Sequence, residues 1–120
     1  MKLFAIPFII AGICVGGAAM ADGNWSFVNQ EGFGNGQGTF QHGDYNAAIT
    51  DQRGFGNGSL SLQEGLGNMS VTGQRGWDNL SITDQLGIGN ASETMQFGSG
   101  HESETIQTGV GNSSLTVQSN

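Results

Sequence analysis

Cysteine, proline and lysine are almost missing from this chain of 120 residues: Cys14, Pro7 and Lys2 are the only ones. All three fall within the first twenty-one residues. There Lys2 precedes an apolar stretch from Leu3 to about Val15, and small residues then run to Ala19-Met20-Ala21. Charged, then apolar, then A-x-A is the order of a secretory signal peptide, with cleavage expected after Ala21. The apolar run is shorter than the ~20 residues a membrane-spanning helix needs, and glycines interrupt it. A lipoprotein signal would want a small residue where Ile13 precedes Cys14. The mature chain is then Asp22 to Asn120, with no disulfide to stabilise it after export. Losing Lys2 leaves two basic residues, Arg53 and Arg75, against ten acidic ones, a net charge of minus eight. Such a surface repels nucleic acid and anionic membrane, so neither is expected as a partner, and no membrane insertion is expected after cleavage.

Glycine, asparagine, glutamine, serine and threonine dominate what remains. Low complexity of this kind is often disordered yet prone to β-assembly. A strict internal repeat takes the matter further. Glutamine stands at Gln30, Gln41, Gln52, Gln63, Gln74, Gln85, Gln96, Gln107 and Gln118, every interval being eleven residues. Two residues after all but the last comes glycine: Gly32, Gly43, Gly54, Gly65, Gly76, Gly87, Gly98 and Gly109. Three further on comes asparagine, at Asn35, Asn46, Asn57, Asn68, Asn79, Asn90 and Asn112, with His101 the one exception.

The unit is Q-x-G-x-x-N followed by a short strand. The G-x-x-N part reads as a turn, because glycine permits positive φ and asparagine tolerates the left-handed region. The stretch after it alternates, as in Ser59-Leu60-Ser61-Leu62 and Ser81-Ile82-Thr83, which is strand periodicity. Nine strands are expected, from Trp25–Gln30 to Ser113–Gln118. Eleven residues supply one strand and one turn, too little to close around a core, whereas twenty-two give strand–turn–strand–turn. The expected fold is therefore all-β: a parallel β-solenoid with two facing sheets and about 22 residues per rung. The variable turn positions agree, with Phe33, Phe55 and Trp77 on one edge and Asp44, Leu66, Ile88 and Val110 on the other. Arg53 would stack on Arg75, while Glu93 and Glu104 would fall on opposite sheets.

Asn, Ser or Ala, Thr or Ser, and the closing Gln share one parity in each strand. Stacked in register, each amide lies about 4.7–4.8 Å from its copy one rung away, forming amide ladders. Ladders would satisfy buried polar side chains through one another. Either the interior is unusually polar, or the opposite parity points inward.

The unit Q-x-G-x-x-N-x-[A/S]-x-x-x-Q, seen whole in Gln41-His42-Gly43-Asp44-Tyr45-Asn46-Ala47-Ala48-Ile49-Thr50-Asp51-Gln52, resembles the curlin repeat of bacterial curli fibres. The resemblance covers about Trp25 to Gln118. It implies an extracellular, cell-surface fimbrium subunit that polymerises as a cross-β fibre for adhesion and biofilm matrix. The implied partners are further copies of itself, a nucleator or major subunit, and an outer-membrane secretion channel with its accessory factors. No cofactor and no metal are expected. The chain departs from the family where threonine (Thr50, Thr72, Thr83, Thr94, Thr105, Thr116) replaces an aliphatic residue two places before glutamine. Only Asp22 to Asn24 precedes the first repeat, where a longer secretion-targeting stretch is common. Ser113 to Asn120 lacks the basic residues of a nucleator's last repeat, which favours the major subunit; a nucleator is the alternative.

Enzyme chemistry has no constellation to rest on. His42 and His101 lie in separate turn regions without a paired nucleophile. Glu102 and Glu104 read as a solvated strand face rather than an acid/base pair. The G-x-G triplets lack the helix that a phosphate loop requires. Asp44 and Asp78 are too few for a calcium β-roll. A second rival comes from the S-x-T series Ser70/Thr72, Ser81/Thr83, Ser92/Thr94, Ser103/Thr105 and Ser114/Thr116, which would suit a secreted ice-binding β-solenoid if it faced water.

Assembly follows from the ends. Capping repeats normally hide the unpaired N–H and C=O groups of terminal repeats. Here the first and last strands keep the pattern, so end-to-end contact would not close and would give a filament. Asp51, Gly73 and Asp84 stand just before a glutamine, where Leu62, Met95, Ile106 and Val117 stand elsewhere. They read as gatekeepers that slow premature assembly.

Overall fold

In the computed structural model, Val15, Gly16 and residues 23–120 are described. The proposed signal peptide, residues 1–21, lies outside the described residues apart from Val15 and Gly16. The strands in chain order are β1 (Val15–Gly16), β2 (Trp25–Phe33), β3 (Gly36–Asp44), β4 (Ala47–Phe55) and β5 (Gly58–Leu66). They continue as β6 (Met69–Trp77), β7 (Leu80–Ile88), β8 (Ala91–Ser99), β9 (Glu102–Val110) and β10 (Ser113–Ser119).

Two parallel five-stranded sheets result, one in the order β1-β3-β5-β7-β9 and the other β2-β4-β6-β8-β10. Within β2–β10, each strand pairs with the strand two ahead, and every residue lies beside the one 22 positions on. The chain is thus a β-solenoid with a 22-residue rung. Phe33, Phe55 and Trp77 stack on one edge, and Asp44, Leu66, Ile88 and Val110 on the other.

Strand starts coincide with the sequence pattern, but strand ends do not. From β2 to β9 each strand continues three residues beyond its glutamine, through the glycine expected to turn. Gly76, with φ 126°, shows why. A Cβ placed on it would collide with the carbonyl oxygen of Gly98 in the rung above. Close backbone approach thus demands glycine here, and the ladder runs on to the corner. The left-handed residue is the one before asparagine, not asparagine itself. Gly56 and Gly67 both have φ 67°, while Tyr45 (58°) and Asp78 (53°) adopt the same region with side chains. Backbone bonds also bridge the corners: Gly56 N donates to Phe33 O at 3.0 Å, and Gly58 N to Asn79 O at 2.7 Å.

These two kinds of glycine should respond differently to substitution. Gly76→Ala meets backbone, so unfolding free energy should fall by more than about 3 kcal/mol. Gly67→Ala has open space at its Cβ and carries only the left-handed strain, about 1–2 kcal/mol. Denaturant titration of the soluble chain measures both; equal losses would contradict the close-approach account.

Candidate functional site

The interior reverses the usual order of polar and apolar. Among the described residues the only buried apolar side chain is Ala48. The largest fully buried side chains are Gln52, Gln74, Gln85 and Gln96, followed by asparagines and threonines. The parity left open by the sequence is therefore settled: amides and hydroxyls point in, and Leu60, Val71, Ile82 and their like point out. The inward serines and threonines include Ser70, Thr72, Ser81, Thr83, Ser92 and Thr94, each at most 2% exposed. They form no hydroxyl array toward water, which removes the basis of the ice-binding reading.

Spacing explains why amides are required. Parallel neighbours repeat at roughly 4.7–4.9 Å. A hydroxyl uses one oxygen both to donate and to accept, so copies at that spacing are out of hydrogen-bond reach. An amide carries its donor and acceptor on different atoms, and translation by one rung brings the Nε2 of one glutamine to the Oε1 of the next. The chain Gln30–Gln52–Gln74–Gln96–Gln118 is linked this way at 2.7, 2.8, 2.7 and 2.9 Å. On the facing sheet Gln41–Gln63–Gln85–Gln107 is linked at 2.8, 3.0 and 2.8 Å. From Gln41 to Gln118 each Nε2 also donates across the rung to a backbone carbonyl, as from Gln74 to Gly58 O at 2.8 Å. By contrast seven hydroxyls among the described residues, Thr50 Oγ1, Thr72 Oγ1 and Thr94 Oγ1 included, are buried without a partner there. Ser61 and Ser70 reach each other between the sheets at 3.1 Å.

Asparagine works differently from glutamine. Asn57 Nδ2 donates to Arg53 O at 3.3 Å and to Gly76 O at 3.1 Å, closing its own corner and tying it to the next. Its Oδ1 accepts from the backbone N of Asn79 at 3.2 Å. Asn46, Asn68 and Asn90 repeat this clamp. Side-chain-to-side-chain asparagine bonds occur only along Asn35–Asn57–Asn79 among the described residues. The asparagines are corner clamps rather than a pure amide ladder. His101 reproduces half the clamp: its Nε2 lies 3.0 Å from Phe97 O, and its backbone N donates to Asn79 Oδ1 at 3.1 Å.

Outward positions carry the remaining chemistry. Phe33, Phe55 and Trp77 are 62%, 56% and 61% exposed along their edge. Trp25 and Phe27 stack on the outer face of β2 with centroids 6.2 Å apart. Asp51, Gly73 and Asp84 also lie outward, but not alike. Asp51 accepts from Asn29 Nδ2 at 3.0 Å and lies 3.5 Å from Arg53, which in turn lies 3.7 Å from Glu31. These are exposed pairs of small energetic weight. Asp84 sits between Leu62 and Ile106 in its sheet. Together these features define a repeat protein of the parallel β-solenoid class. No family model matches the chain, and no curated protein matches it either.

Ladder position should govern the cost of losing a glutamine. Gln74→Ala strips a donor from Gln96 Oε1 and an acceptor from Gln52 Nε2 in a buried site, a loss of about 2–4 kcal/mol. Gln118→Ala acts at a partly exposed end and should cost about 1 kcal/mol or less. Equilibrium unfolding of the two variants checks this, and equal costs would argue against the ladder as the stabilising element.

Proposed function

We propose that this chain is an exported structural subunit that polymerises through its solenoid ends into an extracellular cross-β fibre of the curli type. The fibre serves adhesion and biofilm matrix at the cell surface. The single observation behind this reading is the direction of the glutamine-to-glutamine bonds in the interior. Each glutamine donates upward to the next rung, and the series is interrupted only where described residues run out. Among the described residues Gln107 and Gln118 then retain an Nε2 hydrogen with no glutamine acceptor, and Gln30 and Gln41 an Oε1 with no glutamine donor. One end offers what the other lacks. Such ends template a further copy, and a head-to-tail contact that does not close gives a filament. The bulk subunit is favoured over the nucleator because Ser113–Asn120 carries no basic residue. On this reading the partners are other copies, a nucleating subunit and an outer-membrane channel with accessory factors.

The processed chain, residues 22–120, should form thioflavin-positive fibres with a meridional reflection at about 4.7–4.8 Å. A chain that stays monomeric for weeks at high concentration, seeded or not, would refute the proposal.

The outward acids tune the rate. Asp84 places a carboxylate between Leu62 and Ile106, and Asp51 one beside Gly73. The double change Asp51→Leu with Asp84→Leu removes both charges and raises strand propensity, by up to about 1 kcal/mol per site. The lag before fibres appear at neutral pH should shorten. Asp84→Leu alone should give most of the effect, because Asp51 is already engaged by Asn29 and Arg53. An unchanged lag in the double variant would reduce these acids to ordinary surface charge.

A further inference from the structure

Nine strands, β2 to β10, fill four and a half rungs rather than a whole number. The open edges are therefore staggered. At one end the edges are β2 and, once cleavage removes β1, β3 in the opposite sheet; at the other end they are β9 and β10. We infer that each subunit in the fibre docks on its predecessor after a half-turn about the fibre axis, β2 of the second copy seating on β9 and β3 on β10. This rests on the fibre reading above and goes beyond it by fixing which edges meet.

The eleven-residue repeat makes this possible, because one repeat is half a rung. A half-turn with a half-rung rise carries each strand onto its successor, and nine such steps carry the whole subunit onto the next. In the resulting register Gln30 lies on Gln107, Gly32 on Gly109 and Asn35 on Asn112; Gln41 then lies on Gln118. Donors meet acceptors throughout. The spare Nε2 hydrogens of Gln107 and Gln118 face the free Oε1 atoms of Gln30 and Gln41. Asn112 Oδ1 faces the backbone N of Asn35, the relation that Asn90 Oδ1 already has to Asn112 N at 3.1 Å. Gly109 fits as well: unlike Gly87 below it, it has no backbone against the position of a Cβ, and Gly32 of the second copy fills that place.

The competing arrangement is a straight stack without rotation, with β2 on β10. It also places glutamine on glutamine and brings Phe27 onto Leu115. It leaves β3 and β9 separated by one missing strand, with both rows of backbone N–H and C=O groups unpaired between subunits. The half-turn pairs both edges at once and sets exposed Phe40 on exposed Val117 and exposed Phe33 on exposed Val110. The outer edge of β3 already accepts a parallel strand in this register. Val15 and Gly16 pair there with Gly38 and Thr39, the places that Leu115 and Thr116 of the preceding subunit would take. Cleavage after Ala21 would vacate that slot.

Two double-cysteine variants of the processed chain separate the arrangements, since residues 22–120 contain no other cysteine. Phe27 and Glu104 lie seven strands apart within one subunit, so a short thiol-to-thiol cross-linker can join them only between subunits. Fibres of F27C/E104C should give a ladder of covalent oligomers on a denaturing gel, while fibres of F27C/L115C should stay monomeric. Linking of F27C/L115C in place of F27C/E104C, or of neither pair in well-formed fibres, would overturn the half-turn. Should the cysteine variants form no fibres, the axial repeat of unmodified fibres decides. The half-turn gives a subunit rise of about 21 Å and a full repeat of about 43 Å, whereas a rise of about 24 Å, five whole rungs, would overturn it. Absence of fibres from the unmodified chain would refute the fibre reading itself, and the half-turn with it.

Discussion

The repeat distance between parallel strands is the constraint on which everything else here depends. At roughly 4.7–4.9 Å between copies, a buried polar side chain can be satisfied by its own copy only if donor and acceptor sit on different atoms. Glutamine meets that condition, and nine of them recur at eleven-residue intervals. Serine and threonine do not meet it, and several of their inward hydroxyls are unpartnered. That difference accounts for a pattern in the sequence: glutamine never varies at its position, whereas the serine position also admits Ala48 and, at the first rung, Gln37. The cost of leaving a buried amide unpaired exceeds the cost of exchanging small residues that only fill space.

A polar interior changes what holds the molecule together. An ordinary domain gains most of its stability from apolar burial, yet here the large apolar residues lie outside. Directional bonds take over, and directional bonds along one axis have two consequences. Side chains on a strand can be exchanged outwardly with little effect on the rung below. The glutamine ladders also leave the ends with specific deficits, donors at one and acceptors at the other, which an apolar core would not create. On the proposed fibre reading, stability and the addition of further rungs come from the same atoms.

Much of this was legible in the sequence, and what was not has identifiable physical causes. The 22-residue rung, the strand starts and the stacking of Phe33 on Phe55 and Trp77 all follow from spacing. Strand ends are not legible because Gly54 and its counterparts look like turn residues, when they are glycine so that two backbones can approach. The left-handed corner was assigned to asparagine because the residue before it is not uniform: Tyr45 and Asp78 break a series that is otherwise mostly glycine. Inward parity stayed open because the general expectation of apolar interiors pulled against the amide pattern. The burial of the glutamines resolves that conflict, and the Gln74 bonds show how a buried amide is satisfied. The difference between Asp51 and Asp84 depends on cross-strand neighbours, which register alone supplies but side-chain placement makes chemical.

The central claim is that rung-to-rung contacts join residues 22 apart in one chain, not identical residues of stacked chains. Solid-state NMR on fibres grown from isotope-labelled chain diluted into unlabelled chain tests this directly. Side-chain amide contacts between Gln52 and Gln74, and between Gln74 and Gln96, should persist undiminished on dilution. Loss of those contacts in proportion to dilution would mean that extended chains stack in register on one another, and would contradict the solenoid as the fibre's building unit.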